Sequence, residues 1–174
     1  MKKIEDYISS IPDFPKPGIM FRDITSVLEN PEALKLTLDA LYEVLEKYEF
    51  DAVAGLEARG FLFGVPIAEH FSKPFFPVRK KGKLPRETVS IEYELEYGRS
   101  CIEIHKDSVK PGTRVVVVDD LLATGGTAKA TTQLVEQLGG KIACCLFVIE
   151  LFDLKGREKL DGYRVESLTK FPGH

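Results

Sequence analysis

The sequence predicts an α/β fold built on an open, mainly parallel β-sheet flanked by helices. Three features carry this expectation. Residues 115–118 are four consecutive valines, the mark of a strand buried on both faces. Residues 142–149 form a second uninterrupted apolar run. From Asp51 onward, short apolar segments alternate with helical periodicity, as in parallel strands joined by crossover helices. With 174 residues, 44% of them hydrophobic, the chain is long enough to bury a core without disulfides or a structural metal, and one domain over residues 1–174 is expected.

The elements follow in order. Ile4, Tyr7, Ile8 and Ile11 recur at helical spacing and predict a short amphipathic helix. Pro12, Pro15, Pro17 and Gly18 then predict a rigid irregular loop. Asn30-Pro31 reads as an N-cap followed by proline at the first helical position. Leu34, Leu38, Leu41, Leu45 and Tyr48 carry the helix that it opens. A strand is expected over Ala52–Leu56, a helix over 61–71 and a strand over 75–78. In 88–97, Ile91, Tyr93, Leu95 and Tyr97 alternate with Glu92, Glu94 and Glu96, a strand with one wet face. After Gly98, Ile102 and Ile104 alternate with Glu103 and His105, which completes a flap-like β-hairpin projecting from the sheet. The basic stretch 80–86 before it reads as a mobile loop. Residues 127–138 predict a helix with Ala130, Leu134 and Leu138 on one side, stopped by Gly139-Gly140.

Composition excludes several functions. A net charge of −3 disfavours a general nucleic-acid or membrane-surface binder. The run 142–149 is far below the roughly 20 residues that span a bilayer. The N-terminus MKKIEDYISS lacks the apolar core of a signal peptide. Cys101, Cys144 and Cys145 have no metal-like spacing and read as buried thiols of a reducing cytoplasm, with Cys144 and Cys145 on opposite strand faces. His70, His105 and His174 form no cluster, which argues against zinc and against a Ser-His-Asp arrangement.

The chemistry concentrates in VVVVDDLLATGGT, residues 115–127, where a buried strand ends in two carboxylates and a glycine-rich turn opens a helix. Residues 124–127 offer successive backbone N–H groups, two hydroxyls and a helix N-terminus, which suit a phosphate monoester. Neither GxxxxGK[ST] nor GxGxxG is present. Asp119 and Asp120 would repel a bare polyphosphate, but suit two vicinal hydroxyls or a hydrated Mg²⁺. A ligand with a 5′-phosphate and a ribose 2′,3′-diol satisfies both parts.

This segment resembles the phosphoribosyl-pyrophosphate motif of type I phosphoribosyltransferases. PDFPKPGIMFRDIT (12–25), GLEARGFLFG (55–64), RKKGKLP (79–85), LEYG (95–98) and LKGREKL (154–160) are similar, in the same order, to segments of the adenine phosphoribosyltransferases. The resemblance implies purine salvage: adenine N9 displaces pyrophosphate at ribose C1′ of phosphoribosyl pyrophosphate, giving AMP. It further implies a small N-terminal base-binding hood over about residues 1–30. By the same resemblance, Ala123, Thr124, Gly125, Gly126 and Thr127 hold the 5′-phosphate. Asp119 and Asp120 bind the ribose hydroxyls and, mainly through water, Mg²⁺. Arg59, Arg79 and Lys83 meet pyrophosphate, Arg59 beside a non-proline cis bond at Glu57–Ala58. Met20, Arg22 and Leu151 frame adenine, and Glu96, near N7, is the catalytic residue that handles the proton. Family members are typically cytoplasmic homodimers acting on small molecules. Two other readings stay open: a transferase for another nucleobase, and a non-catalytic regulator that senses phosphoribosyl pyrophosphate.

Overall fold

A computed structural model describes residues 1–95 and 97–173. In chain order the elements are α1 (Ile4–Tyr7), β1 (Ser9–Pro12), β2 (Met20–Asp23), α2 (Thr25–Leu28), α3 (Pro31–Leu45), β3 (Ala52–Leu56), α4 (Gly60–Phe71), β4 (Phe75–Lys80), β5 (Thr88–Glu94), β6 (Arg99–His105), β7 (Arg114–Leu122), α5 (Gly126–Gln137), β8 (Lys141–Leu151), α6 (Gly156–Lys159) and β9 (Val165–Phe171). The main sheet has the order β5-β6-β4-β3-β7-β8-β9. Strands β4, β3, β7, β8 and β9 are parallel, whereas β6, toward one edge, pairs antiparallel with both β4 and β5. From β3 the chain first builds outward through β4, then returns to place β7 on the other side of β3. That reversal is a topological switch point, where the carboxyl ends of neighbouring strands open a crevice.

Burial follows the two-residue period of the strands. Val53, Val116, Val118, Cys144 and Leu146 pack with Leu41, Leu45, Phe63 and Ile67 of α3 and α4 on one face. Ala54, Val115, Val117, Cys145 and Phe147 pack with Ala130, Leu134 and Val135 of α5 on the other. The adjacent cysteines therefore face opposite layers, as their position in an apolar run implies. Asn30 caps α3, its side chain accepting from the N–H groups of Glu32 and Ala33 at 3.0 and 3.2 Å.

Several expectations change. The first helix stops at Tyr7, and Ile11 lies exposed in β1, because Ser9–Pro12 pairs with Met20–Asp23 as an antiparallel ribbon. The proline loop closes that ribbon, with Pro12 at a strand end where its missing N–H is tolerated. Tyr48 lies beyond α3, and Lys80 ends β4 instead of opening the following loop. The hairpin strand stops at Glu94, and the hairpin joins the main sheet through the pairs Arg79–Glu103 and Lys80–Ile102. Strand β7 continues past the carboxylates, since Leu121 and Leu122 pair with Ile149 and Glu150 of β8.

Gly60 lets α4 begin directly against β7: a Cβ there would sit 2.7 Å from the Val118 carbonyl oxygen and 3.2 Å from Asp119 Oδ1. Gly60→Ala must push α4 away from the strand that carries both carboxylates. It is expected to lower stability by about 1–3 kcal/mol, read as a reduced midpoint in urea unfolding.

Candidate active site

The crevice at the switch point divides around the end of β7. Successive strand residues face opposite sides, so Asp119 and Asp120 point into different clefts. Asp119 lines a depression of about 110 Å³ walled by Ala123, Thr124, Gly125, Gly126 and Thr127. Asp120 lines a cleft of about 340 Å³ that also holds Met20, Arg22, Arg59 and Leu151. Leu121 borders both.

The first cleft is a backbone cradle. Gly125 precedes α5 with φ +85°, a left-handed conformation natural to glycine. A Cβ at Gly125 would also lie 2.8 Å from the Gly156 carbonyl oxygen, and one at Gly156 would collide with the Ala123 carbonyl oxygen. The loop is thus seated on the start of α6. Arg157 fixes α6 in turn: its Nη2 and Nε donate to buried Glu150 at 2.6 and 3.2 Å, and its Nη1 donates to the Val165 carbonyl at 2.8 Å. This bidentate pair anchors the loop's support to the ends of β8 and β9. Among the sequence features, only the family resemblance of LKGREKL pointed to it.

Arg59 leaves the turn after β3, beside the cis Glu57–Ala58 peptide, and its Nε donates to Asp120 Oδ2 at 2.5 Å. Asp120 is only 5% exposed, so this arginine balances a buried charge. The Asp120 N–H donates to Asp119 Oδ1 at 2.8 Å. Burial, then the neighbouring Asp120 charge, pushes the Asp119 carboxyl well above the usual carboxylate range. A hydroxyl or a cation brought to this cleft relieves that penalty.

In the second cleft, Arg22 lies over the Phe171 ring, 4.7 Å from its centroid, and Nη1 donates to Ser10 Oγ at 2.5 Å. The N-terminal ribbon and the end of β9 thereby form one wall. Without the resemblance, Met20 and Leu151 would pass as core side chains, yet both are half-buried at this cleft.

Arg79 and Lys83 converge on Glu57, a residue the sequence reading singled out only for its peptide bond. Glu57 accepts from Arg79 Nε at 3.0 Å, the Lys80 N–H at 3.1 Å and Lys83 Nζ at 2.6 Å. Both cations therefore stand beside the Arg59 turn. Glu96 lies outside the described residues. Glu92 and Glu94 are exposed, as their alternation implies, and Arg99 approaches each at 3.7 Å.

Burial by itself would raise the Glu57 carboxyl, but Lys83, the Lys80 N–H and Arg79 hold it down to about 2. A depressed carboxyl gives stability that is present above its unfolded value and is lost as pH falls toward the folded one. Between about pH 4.5 and pH 2, Glu57→Gln is therefore expected to lose less stability than the parent, measured by urea unfolding across that window.

The phosphoribosyl transferase domain family matches residues 23–171. An adenine phosphoribosyltransferase of Lachnoclostridium phytofermentans is 57% identical over 173 residues, covering 99% of each chain. The crystal structure of adenine phosphoribosyltransferase from Thermoanaerobacter pseudethanolicus superposes with a TM-score of 0.93 at 56% identity, covering 97% of this chain and 98% of that one. The Saccharomyces cerevisiae enzyme, complexed with an imino-altritol bisphosphate and adenine, gives 0.88 at 41% identity, covering 95% and 96%. With that sequence likeness over nearly its whole length, and with a glycine-rich loop at the switch point of a parallel sheet, the chain belongs to the phosphoribosyltransferase family, among the adenine phosphoribosyltransferases.

Proposed function

We propose that this chain transfers the 5-phosphoribosyl group from phosphoribosyl pyrophosphate to N9 of adenine, giving AMP and pyrophosphate in purine salvage. One observation carries the reading. The two carboxylates at the end of β7 face two adjoining clefts, one lined by loop amides and hydroxyls, the other by apolar side chains and an arginine. A phosphorylated sugar in the first and a base in the second would meet over that strand end. The yeast relative's complex with adenine and a bisphosphate supports the same pairing of ligands.

In this reading Ala123, Thr124, Gly125, Gly126 and Thr127 bind the 5′-phosphate through N–H groups and hydroxyls. Asp119 and Asp120 accept hydrogen bonds from the ribose hydroxyls and fix C1′ between base and leaving group. Arg59, locked to Asp120, and the Arg79–Lys83 pair on Glu57 present positive charge where the pyrophosphate departs. Met20 and Leu151 flank the base, and Arg22 closes its cleft. Glu96 takes its proposed place near N7 and handles the proton as N9 bonds to carbon. No protein nucleophile is required, because positioning and charge stabilisation carry the displacement.

The donor set fits Mg²⁺ as a partner of the substrate. Among the described residues no group of three or more carboxylates, histidines or cysteines could enclose a metal. Asp119 and Asp120 would hold the ion mainly through water, with pyrophosphate oxygens supplying the remaining ligands. The ion, when bound, neutralises charge on the leaving group. We further infer that residues 1–174 act as one domain with residues 1–30 as its hood, and that the chain works as a homodimer. Exposed Leu62 and Val65, one turn apart on α4, support the dimer. A cytoplasmic setting agrees with three unpaired cysteines. Among the described residues no helix is long and apolar enough to cross a membrane.

The first test is AMP formation from adenine, phosphoribosyl pyrophosphate and Mg²⁺. Turnover with adenine is expected to exceed that with guanine, hypoxanthine or xanthine, and the reverse order would overturn the assignment. Two variants separate the roles. Asp120→Asn is expected to reduce kcat/KM by about 100-fold or more, a larger effect than its loss of stability, since the carboxylate serves the ligand as well as Arg59. Glu96→Gln is expected to lower kcat by about 100-fold while KM for phosphoribosyl pyrophosphate stays near the parent value.

A further inference from the structure

Tyr93 of β5 reaches across to α5. Its hydroxyl lies 2.9 Å from Thr127 Oγ1, with either oxygen able to donate. Its ring covers Gly126: a Cβ there would meet Tyr93 Cδ2 at 3.7 Å, ordinary van der Waals contact. Among the described residues this is the hydrogen bond that joins the hairpin strand to the phosphate-type loop. Beyond it, Leu95 and Tyr97 of the hairpin tip face Thr124 and Gly126 across a cleft of about 710 Å³.

The chemistry of the two hydroxyls sets the direction. A phenol is a stronger hydrogen-bond donor than an aliphatic alcohol. When Tyr93 donates, a lone pair of Thr127 Oγ1 is occupied and the Thr127 hydrogen must point elsewhere. Thr127 lines the 110 Å³ depression, so its proton is available to an anion seated there. The chain then runs Tyr93 O–H to Thr127 O–H to phosphate oxygen, each bond polarising the next.

We propose that Tyr93 is a positioning residue for the sugar phosphate: it orients the Thr127 hydroxyl as a donor and couples the flap strand to occupancy of the loop. The proposal rests on reading residues 123–127 as the 5′-phosphate site. It assigns a role to Tyr93, distinct from the proton-handling role proposed for Glu96.

The experiment compares the parent, Tyr93→Phe, Thr127→Val, Thr127→Ser and the Tyr93→Phe/Thr127→Val double variant. Ribose 5-phosphate is the binding probe, and KM is measured for both substrates. Tyr93→Phe keeps the ring on Gly126 and removes only the donor. It is expected to weaken ribose 5-phosphate binding and raise KM for phosphoribosyl pyrophosphate by about 3- to 10-fold, with KM for adenine unchanged. In the Thr127→Val background, Tyr93→Phe should have no further effect, since the hydroxyl it orients is gone. Thr127→Ser, which keeps the hydroxyl, should bind like the parent. Unchanged ribose 5-phosphate binding in Tyr93→Phe overturns the coupling, as does a double variant whose loss equals the product of the two single losses. Failure of the parent to bind ribose 5-phosphate would instead refute the phosphate-site reading beneath it.

Discussion

The parallel pairing of β3 with β7 is the constraint on which the rest depends. Ala52, Val53, Ala54 and Gly55 pair with the four valines 115–118, and both strands are buried on both faces. Because neighbours in sequence do not form this pair, the chain must leave β3 on one side and return on the other. Both carboxyl ends then open at one place, and the centre of the candidate site hangs from them: the Glu57–Arg59 turn after β3, Asp119 and Asp120 toward the end of β7, and the loop into α5. Gly60 tightens the arrangement by bringing the start of α4 against the Val118 carbonyl. The start of α4 is thus fixed by backbone approach as much as by side chains.

Charge is organised pairwise around this junction. The net charge of −3 gives no hint of a cationic site, and the long-range field is not what would hold an anionic substrate. Acidic side chains fix the basic ones locally. Glu57 gathers Arg79 and Lys83, Asp120 holds Arg59, and Glu150 anchors Arg157 beneath the loop. Each pairing limits the rotamers of a long cation before any ligand arrives, so less ordering remains for the binding step. Buried Asp120 and Glu150 and half-buried Glu57 are tolerable because each meets a guanidinium or ammonium group.

Much of the fold is legible in local chemistry. The valine run, the apolar run 142–149, Asn30-Pro31 and the Gly139-Gly140 stop mark elements whose cause lies within a few residues, and the structure places strands and helices there. The alternation in 88–95 likewise fixes which side of β5 is wet, leaving Glu92 and Glu94 exposed. Residues 165–171 lack such a signature because β9 is an edge strand, mostly half-buried, whose pairing with β8 is decided by the sheet. The short α2 and α6 are equally silent, being too brief to show a period.

The loop of residues 123–127 and the two preceding aspartates were legible as a candidate site without a structure, because a strand end and the glycine-rich turn after it are written in contiguous residues. What those groups touch was not. Arg59 meets Asp120 across 61 positions and Tyr93 meets Thr127 across 34. The sorting of Asp119 and Asp120 into separate clefts depends on how two loops and the N-terminal ribbon close around one strand end. Periodicity states which side a residue takes relative to its own element. Only sheet order and register bring two such sides together, because the distance between them in space is independent of their distance along the chain.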